Sequence, residues 1–500
     1  MREAPSPLGL TTVTARAILG PDAGTAGRAE HVAGRLGEAI RLGLLLDGER
    51  LPAEPLLAEQ FGIATVTLRE ALAILRAQGL VVTRRGRGGG SFVRLTPAEP
   101  SDPLPDRLRR LSTQDIRELG DQRGAVSGTA ARLAAERALP DEVDGLRQQA
   151  QRLSSATSAS ERRRADTQFT IAVAAAAQSS RLTAEEIRLR AEIGDLLWLH
   201  LSEADHAASV RSRLRLVEAI GRRDARRARI LAEEHVAADT ERLLRLRLTL
   251  PDRPSAEATP DGHGERDLLA GVEATIEGIF AALEPLAGNY RQVVADAGPA
   301  LVREELAALR PRIFELLELH AGLVAGAGLI TTPGTLADSH FWLEWWWTRA
   351  RGAPEALRVN VDPSAPDFFD YPTAEWYAVP EQTRARHVAG PYVDYACTNE
   401  YAVTVVVPVH LGDQLIGLAA ADVPVARLEA QVLPALMALP RPMALVNAAG
   451  RVIASGSSQL FPGMLVGPSG GETGSPLHAP AGRSDGDARP TTGWRLAPVP

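Results

Sequence analysis

Between Glu54 and Phe61 the apolar residues Leu56, Leu57 and Phe61 fall at helical spacing, and Gly62 breaks the run as a tight turn would. A second stripe follows at Leu68, Ala71, Leu72 and Leu75. It predicts a second helix with Arg69, Glu70 and Arg76 turned off the core, Thr65 or Thr67 capping its start and Gly79 its end. The pattern then changes to alternation: Leu80 to Thr83 and Ser91 to Arg94 read as two strands joined by an Arg- and Gly-rich turn. From residue 107 to 249, Ala, Leu, Arg and Glu dominate at helical spacing with almost no strand signal. Proline-rich segments, Thr96 to Asp106 and Leu250 to Arg266, set that region off on both sides. Long helix patterns return over Asp267 to Leu286 and Leu301 to Val324. After Ile330 the texture becomes short strands and loops. Tyr401 to Pro408 and Leu415 to Val423 are β-rich runs around a turn at His410 to Asp413, and Met443 to Ala454 reads as a second hairpin about Asn447 to Gly450.

These patterns imply several domains along the 500 residues: 25–95, 107–249 and 265–465, with a disordered tail at 466–500. Helices followed by an antiparallel sheet make the last of them α+β.

Charge sharpens the picture. The chain is net −7, yet residues 61–95 hold six Arg against one acid, Glu70. A basic island on an acidic protein points to a local nucleic-acid contact. Residues 265–500 are the reverse, with 16 Arg against 26 acids. All 55 basic residues are Arg. Without lysine there is no Walker phosphate loop and no lysine Schiff base, so Gly86 to Gly90 is not a nucleotide cradle. The single Cys397 rules out a disulfide within the chain and suits a reducing compartment. No apolar run of membrane-spanning length and no signal peptide is evident, so a cytoplasmic location without membrane contact is expected.

The stretch from Leu51 to Val93 resembles the winged helix–turn–helix of GntR-superfamily transcriptional regulators. The shared residues are Leu51-Pro52, Glu54, Leu57-Ala58, Phe61-Gly62, Thr67, Arg69-Glu70-Ala71-Leu72, Leu75, Gly79-Leu80, Gly86-Arg87-Gly88 and Phe92-Val93. Two family positions differ: Pro55 stands where an Arg often follows the Glu, and Ala64-Thr65 replaces a Ser-Arg pair. The resemblance implies a recognition helix in the major groove of double-stranded DNA with Thr65, Thr67 and Arg69 toward the bases. It also implies a wing whose Arg84, Arg85, Arg87 and Gly88 meet the backbone or minor groove. A dimer on a palindromic operator follows.

The helical region is similar to the FCD effector domain. That domain often binds a metal through an Asp and a His one turn apart and two later His. Here the positions are Asp166, Thr170, Arg213 and His235. Arg cannot ligate a metal and its charge repels one. No metal and no other cofactor is therefore expected, with Arg213 paired to Asp166 and His235 in an interhelical hydrogen bond.

The last region resembles a Cache domain, a PAS-like small-molecule sensor, on Asp370-Tyr371, Trp376-Tyr377, Gly390-Pro391-Tyr392, Asp394, Val407-Pro408-Val409, Gly417, Asp422 and Asn447 to Ser455. Twelve of the 22 aromatics fall between Phe341 and Tyr395, as an aromatic pocket or core needs. Tyr371, Trp376, Tyr377, Tyr392, Asp394 and Asp422 are the candidate ligand residues. The two Asp suit an amine or amino acid, while Arg349, Arg351, Arg384 or Arg386 suits a carboxylate. Trp345 to Trp347 divide between core and pocket.

The expected architecture is thus a winged helix–turn–helix, an all-α FCD-like bundle and an α+β Cache-like sensor with an antiparallel sheet. Function follows as a ligand-responsive regulator. Two rivals remain: a protein-interaction scaffold that has lost DNA, and an enzyme in the last region. For the enzyme the sequence offers only scattered His320, His340, His387 and His410 with carboxylates, without a nucleophile elbow or hydride-cofactor loop.

Overall fold

The computed structural model describes residues 28–45, 47–84, 86, 89–94, 104–199, 201–250, 264–348, 352–365, 368–395, 400–466 and 492–499. They belong to two compact units. One runs to residue 250 apart from 112–114; the other holds 112–114 and the chain from 251 on.

The first unit opens with α1 (Arg28–Arg41), α2 (Glu54–Phe61), α3 (Thr65–Ala77) and the hairpin β1 (Val81–Arg84) and β2 (Gly90–Val93). Leu57, Ala58 and Phe61 of α2 and Leu68, Ala71, Leu72 and Leu75 of α3 are buried against Leu36 and Ile40 of α1. Leu56, expected in the same stripe, is exposed instead, because the eight-residue α2 turns its narrow face inward at Leu57, Ala58 and Phe61. Gly62 closes α2 at φ +65°, with its N–H and that of Ile63 reaching back to the carbonyls of Glu59 and Ala58. This is the paired capping pattern that a left-handed glycine permits. Gly79 closes α3 the same way at φ +73°. The start of α3 corrects the expected threonine cap. Its N-cap is Ala64, with no side-chain hydrogen bond, and Thr65 is already inside the helix.

The bundle that follows is helical as its spacing predicts: α4 (Leu104–Arg110), α5 (Thr113–Arg137), α6 (Pro140–Ser155), α7 (Ala159–Ala176), α8 (Ser180–Ile193), α9 (Glu203–Gly221) and α10 (Ala225–Thr249). Ser158 and Ser202 begin α7 and α9 with reciprocal capping boxes through Glu161 and Asp205. Ile171 of α7 and Ile187 of α8 join the winged-helix core, so winged helix and bundle share apolar contacts inside this unit.

In the second unit a long helix, α11 (Glu265–Ala297), lies across one face of an antiparallel sheet. The remaining elements are α12 (Arg310–Leu319), β3 (Gly326–Thr331), β4 (Leu343–Trp347), β5 (Glu355–Ala356), α13 (Glu375–Thr383), β6 (His387–Val393), β7 (Tyr401–Leu411), β8 (Gln414–Pro424), α14 (Val425–Met437), β9 (Met443–Val446), β10 (Val452–Ser455) and β11 (Arg495–Pro498). The main sheet has the order β5-β4-β3-β8-β7-β6, all neighbours antiparallel.

Three expectations change here. Helix α11 continues eleven residues past Leu286, through Pro285, because Ala287, Tyr290 and Val294 still bury against the sheet and offset the lost backbone bond. Leu301 to Val324 is not one helix: a 3₁₀ segment, Arg303–Leu309, precedes α12. The predicted disordered tail is not disordered at its far end. Trp494 and Ala497 are buried and β11 pairs with β9, a four-residue strand too short to show in the pattern. Residues 467–491 lie outside the described residues.

Register divides the sheet. Residues directly opposed across antiparallel strands share a face, and the face alternates at each step. Ala327, Leu329, Val403, Val405, Ala419, Ala421 and Val423 therefore point to α11, where they meet Ile276, Phe280, Leu283 and Tyr290. Gly326, Gly328, Trp345, Thr404, Val406, Ala420 and Asp422 share the other face, under Tyr371 and Tyr377. A Cβ on Gly328 would run into the carbonyl oxygen of Glu344 and come within 2.8 Å of Trp345 Cα. Gly328→Ala should therefore cost the second unit about 1–3 kcal/mol in denaturant unfolding, through forced separation of β3 and β4.

Candidate DNA and effector sites

The exposed side of α3 presents Val66, Arg69, Glu70, Ala73 and Arg76 at three- and four-residue steps, one face of the helix. Thr65 and Thr67 stand half-exposed at its shoulders. Arg69 is exposed, and its Nε donates to Glu54 Oε2 of α2 at 2.8 Å, which fixes one edge of the guanidinium. Glu54 begins α2 and so ties the two helices across the Gly62 turn. In the hairpin, the Arg84 guanidinium sits 4.6 Å from the centre of the Phe92 ring. Arg76 Nη1 donates to Thr83 Oγ1 at 3.0 Å. The segment before α2 braces the wing: Leu51 N donates to Ser91 O and Val93 N to Glu49 O. Gly86 adopts φ +98°, and Gly89 N donates to its carbonyl at 2.8 Å, closing the wing turn. Arg85, Arg87 and Gly88 lie outside the described residues.

The position of the family metal is occupied by guanidinium groups. Asp166 on α7 is buried, and Arg213 of α9 donates to its Oδ1 through Nη2 at 2.6 Å and Nε at 3.1 Å. That pair is the one expected from sequence, but Arg190 of α8 was not. Its Nη1 donates to Asp166 Oδ2 at 2.8 Å and its Nη2 to Thr170 Oγ1 at 2.7 Å. Its signal is faint: one arginine among many at helical spacing. Buried Glu186 and half-buried Asp239 complete the set, paired with Arg190 and with Arg123 respectively. With Arg242, which also reaches Asp239 at 3.4 Å, four guanidinium groups thus meet three carboxylates. Among the described residues no three His, Cys, Asp or Glu side chains converge as a metal would need. A cation does not fit beside two buried guanidinium groups.

His235 corrects one expectation. Its partner is Asp239 on the same helix, with Nε2 at 3.5 Å from Oδ2, rather than a group on another helix. Burial, aided by the nearby Arg213 charge, pushes His235 down to about 4. Burial alone would raise the Asp166 carboxyl, but Arg213 and Arg190 overcome it and hold it far below its ordinary range. Beside this network lies a cavity of about 240 Å³ lined by Trp198, Asp205, Ser209, Ser212, Arg242 and Arg245.

In the second unit, β7 and β8 place Thr404 directly opposite Asp422. Thr404 Oγ1 donates to Asp422 Oδ1 at 2.7 Å, and the Tyr392 hydroxyl shares a short hydrogen bond with the same Oγ1. Burial and then the neighbouring Asp394 carboxylate push Asp422 well up, against the Thr404 hydroxyl. Asp394 and Asp422 are both buried. They line a cavity of about 30 Å³ with Trp345, Phe369, Trp376 and Tyr392. Thr404, not singled out from sequence, is the hinge of this arrangement.

Four of the six expected ligand residues therefore meet at one cavity. Tyr371 and Tyr377 do not line it. Both are buried as supports, Tyr371 donating to Thr331 O at 2.7 Å and Tyr377 to Thr332 Oγ1 at 3.2 Å. The carboxylate clamp is also redistributed: Arg384 pairs with Asp413 and Arg386 with Glu277, away from the cavity. Arg349 and Arg351 lie outside the described residues. The tryptophan run splits by strand alternation. Trp345 lines the cavity with its Nε1 lacking an acceptor, and Trp346 faces the other way, against Phe314.

The helical network sets a pH dependence. Folded His235 stays neutral down to about pH 4, whereas the unfolded side chain takes a proton below its ordinary 6.5. The unfolded state then binds more protons, so stability falls as pH drops from 6.5 to 4. Each tenfold difference in proton affinity is worth about 1.4 kcal/mol, so the loss is on the order of 3 kcal/mol. Chemical unfolding of the wild type across that range should show the loss, and His235→Gln should flatten it; an equal slope in the variant would contradict the assignment.

Comparison with known proteins agrees with the first unit. Residues 28–90 match the model for bacterial regulatory proteins of the gntR family, and residues 118–238 match the FCD domain. A Mycobacterium gastri protein named as HTH-type transcriptional regulator RmpR is 40% identical over 247 residues, 48% of this chain and 90% of that protein. The Glc operon transcriptional activator of Escherichia coli K12 is 36% identical over 108 residues, 21% of this chain and 41% of the activator. Among solved structures, a GntR regulator from Rhodococcus sp. RHA1 aligns at 23% identity over 44% of this chain and 98% of its own, with a TM-score of 0.25. The ligand-binding domain of the Campylobacter jejuni chemoreceptor Tlp3 aligns at 16% identity over 39% of this chain and 69% of its own, with a TM-score of 0.28. No helix among the described residues is long and apolar enough to cross a membrane. The chain belongs to the GntR family of bacterial regulatory proteins, as a transcriptional regulator whose helix–turn–helix is followed by an FCD domain.

Proposed function

We propose that this regulator works as a homodimer on a palindromic operator and that a small ammonium-bearing metabolite, held in the Cache-like second unit, changes its grip on DNA. The observation that carries the sensing half is the small aromatic-lined cavity over Asp394 and Asp422. About 30 Å³ is room for one ammonium-sized group. An ammonium there meets buried carboxylates and indole faces. Its charge favours the ionised form of Asp422, which burial and Asp394 oppose, and the N–H of Trp345 gains an acceptor when the ligand carries one. An amine or amino acid suits this lining better than a simple carboxylate, since Arg384 and Arg386 are committed elsewhere.

The DNA half rests on α3 and the wing. Arg69, steadied by Glu54, keeps its terminal nitrogens for a guanine edge, while Thr65 and Thr67 flank it. Arg84, with Arg85, Arg87 and Gly88, serves the backbone or minor groove. Two-fold symmetry sets half-sites about one helical turn apart. Effector binding then acts by favouring one spacing or mobility of the paired winged helices, a coupling that is reciprocal by linkage. The larger cavity of about 240 Å³ supports a second reading, with the effector inside the helical bundle.

Two measurements test this. Arg69→Ala should weaken specific binding by about 1–3 kcal/mol in a mobility shift and relax base preference at one position per half-site. A thermal-shift screen of amines, amino acids, carboxylates and purines should raise the melting temperature of the wild type with the first two classes only. Asp422→Asn should abolish that rise and the accompanying change in operator affinity. Retention of both by Asp422→Asn would move the effector to the helical cavity.

A further inference from the structure

The DNA-facing side of α3 carries one large apolar group. Val66 is 64% exposed, in the first turn of the helix. It shares its face with Arg69 and Glu70, three and four residues on, while Leu68, Ala71, Leu72 and Leu75 are buried on the opposite side. Thr65 and Thr67, which the family resemblance turns toward the bases, lie to either side and are half-covered. Val66 is therefore more exposed than Thr65 or Thr67 in the N-terminal turn, the part of a recognition helix that meets base edges. A β-branched residue gives the helix no propensity advantage there, and Val66 belongs to no buried apolar cluster among the described residues.

We propose that Val66 determines operator specificity by packing its methyl groups on the C5-methyl of a thymine, next to the guanine read by Arg69. This rests on the operator-binding reading above and deepens it. Three residues along a helix advance about 4.5 Å, close to the spacing of stacked bases at about 3.4 Å, so the two contacts fall on neighbouring base pairs. Thymine is the base that presents an apolar group in the major groove. Arg69 is held for its part by the 2.8 Å contact of its Nε with Glu54, and it lies on the same face of the helix as Val66. Glu70, on that face too, disfavours a phosphate and suits a cytosine amino group on the partner strand.

The test uses the full-length protein and operators selected from random-sequence duplex. Each thymine of a selected operator is replaced in turn by deoxyuridine, which removes the methyl and nothing else. One position per half-site should lose roughly 3- to 5-fold in affinity, the worth of one buried methyl. Val66→Ala should weaken the thymine operator by a similar factor and bind thymine and uracil forms equally at that position. Val66→Thr, which keeps a methyl, should retain the preference. The proposal is overturned if uracil is neutral at every position, or if Val66→Ala keeps the full preference. Failure to enrich any duplex would bring down operator binding itself, and this assignment with it; a selected operator indifferent to uracil overturns the Val66 role alone.

Discussion

A charge removed from water has to meet its opposite inside the protein, and this chain answers that constraint in two ways. In the helical bundle the answer is a set of ion pairs. Asp166, Glu186 and Asp239 face Arg123, Arg190, Arg213 and Arg242, so every carboxylate of the set has a guanidinium partner through charge-assisted contacts. Removing one partner of such a set strands the other, which costs far more than the pair contributes. The bundle is therefore committed to its own arginines, and a metal has no place in it. In the sheet unit the answer is incomplete: Asp422 is buried with a hydroxyl for company and no cation among the described residues. A site that has settled its charge stabilises a fold; one that has not keeps a carboxyl out of water at a cost.

The two faces of the main sheet serve these different ends through one geometric rule. Alternation sends valines, alanines and leucines of β3, β7 and β8 to α11, where they form an apolar core. The same alternation sends Thr404, Asp422 and Trp345 to the other face. Gly326 and Gly328 keep that face low under the Trp345 indole; a Cβ at Gly326 would sit 2.9 Å from its Nε1. The polar cavity thus has a rigid floor, and Tyr371 and Tyr377 act as anchored supports behind its wall.

At the other end of the chain the same economy of parts appears. Two left-handed glycines stop α2 and α3 at fixed points, and an exposed ion pair, Arg69 with Glu54, joins the helices across the turn. An exposed pair of this kind contributes little stability. Its effect is directional, since it aims the guanidinium without burying it. The apolar contact of Ile171 and Ile187 with the winged-helix core gives the DNA-facing elements a fixed seat within the first unit.

The helix–turn–helix, its wing, the helical bundle and the central strands were legible from sequence because each carries a local period or a glycine stop. Local signals have a local physical cause: burial of one helix stripe, one strand face, one left-handed turn. What the sequence could not show depends on where distant elements come to rest. Arg190 reaches Asp166 from another helix, and Thr404 meets Asp422 through strand register, neither of which leaves a mark in spacing. Tyr371 and Tyr377 look like pocket residues by composition and became supports because their hydroxyls found carbonyl and threonine partners on β3 and just beyond it. The long helix ran through Pro285 because burial of Tyr290 and Val294 outweighed one missing backbone bond. Residue type and period determined the elements, and three-dimensional packing decided which charges are satisfied, since only folding sets the distances over which they act.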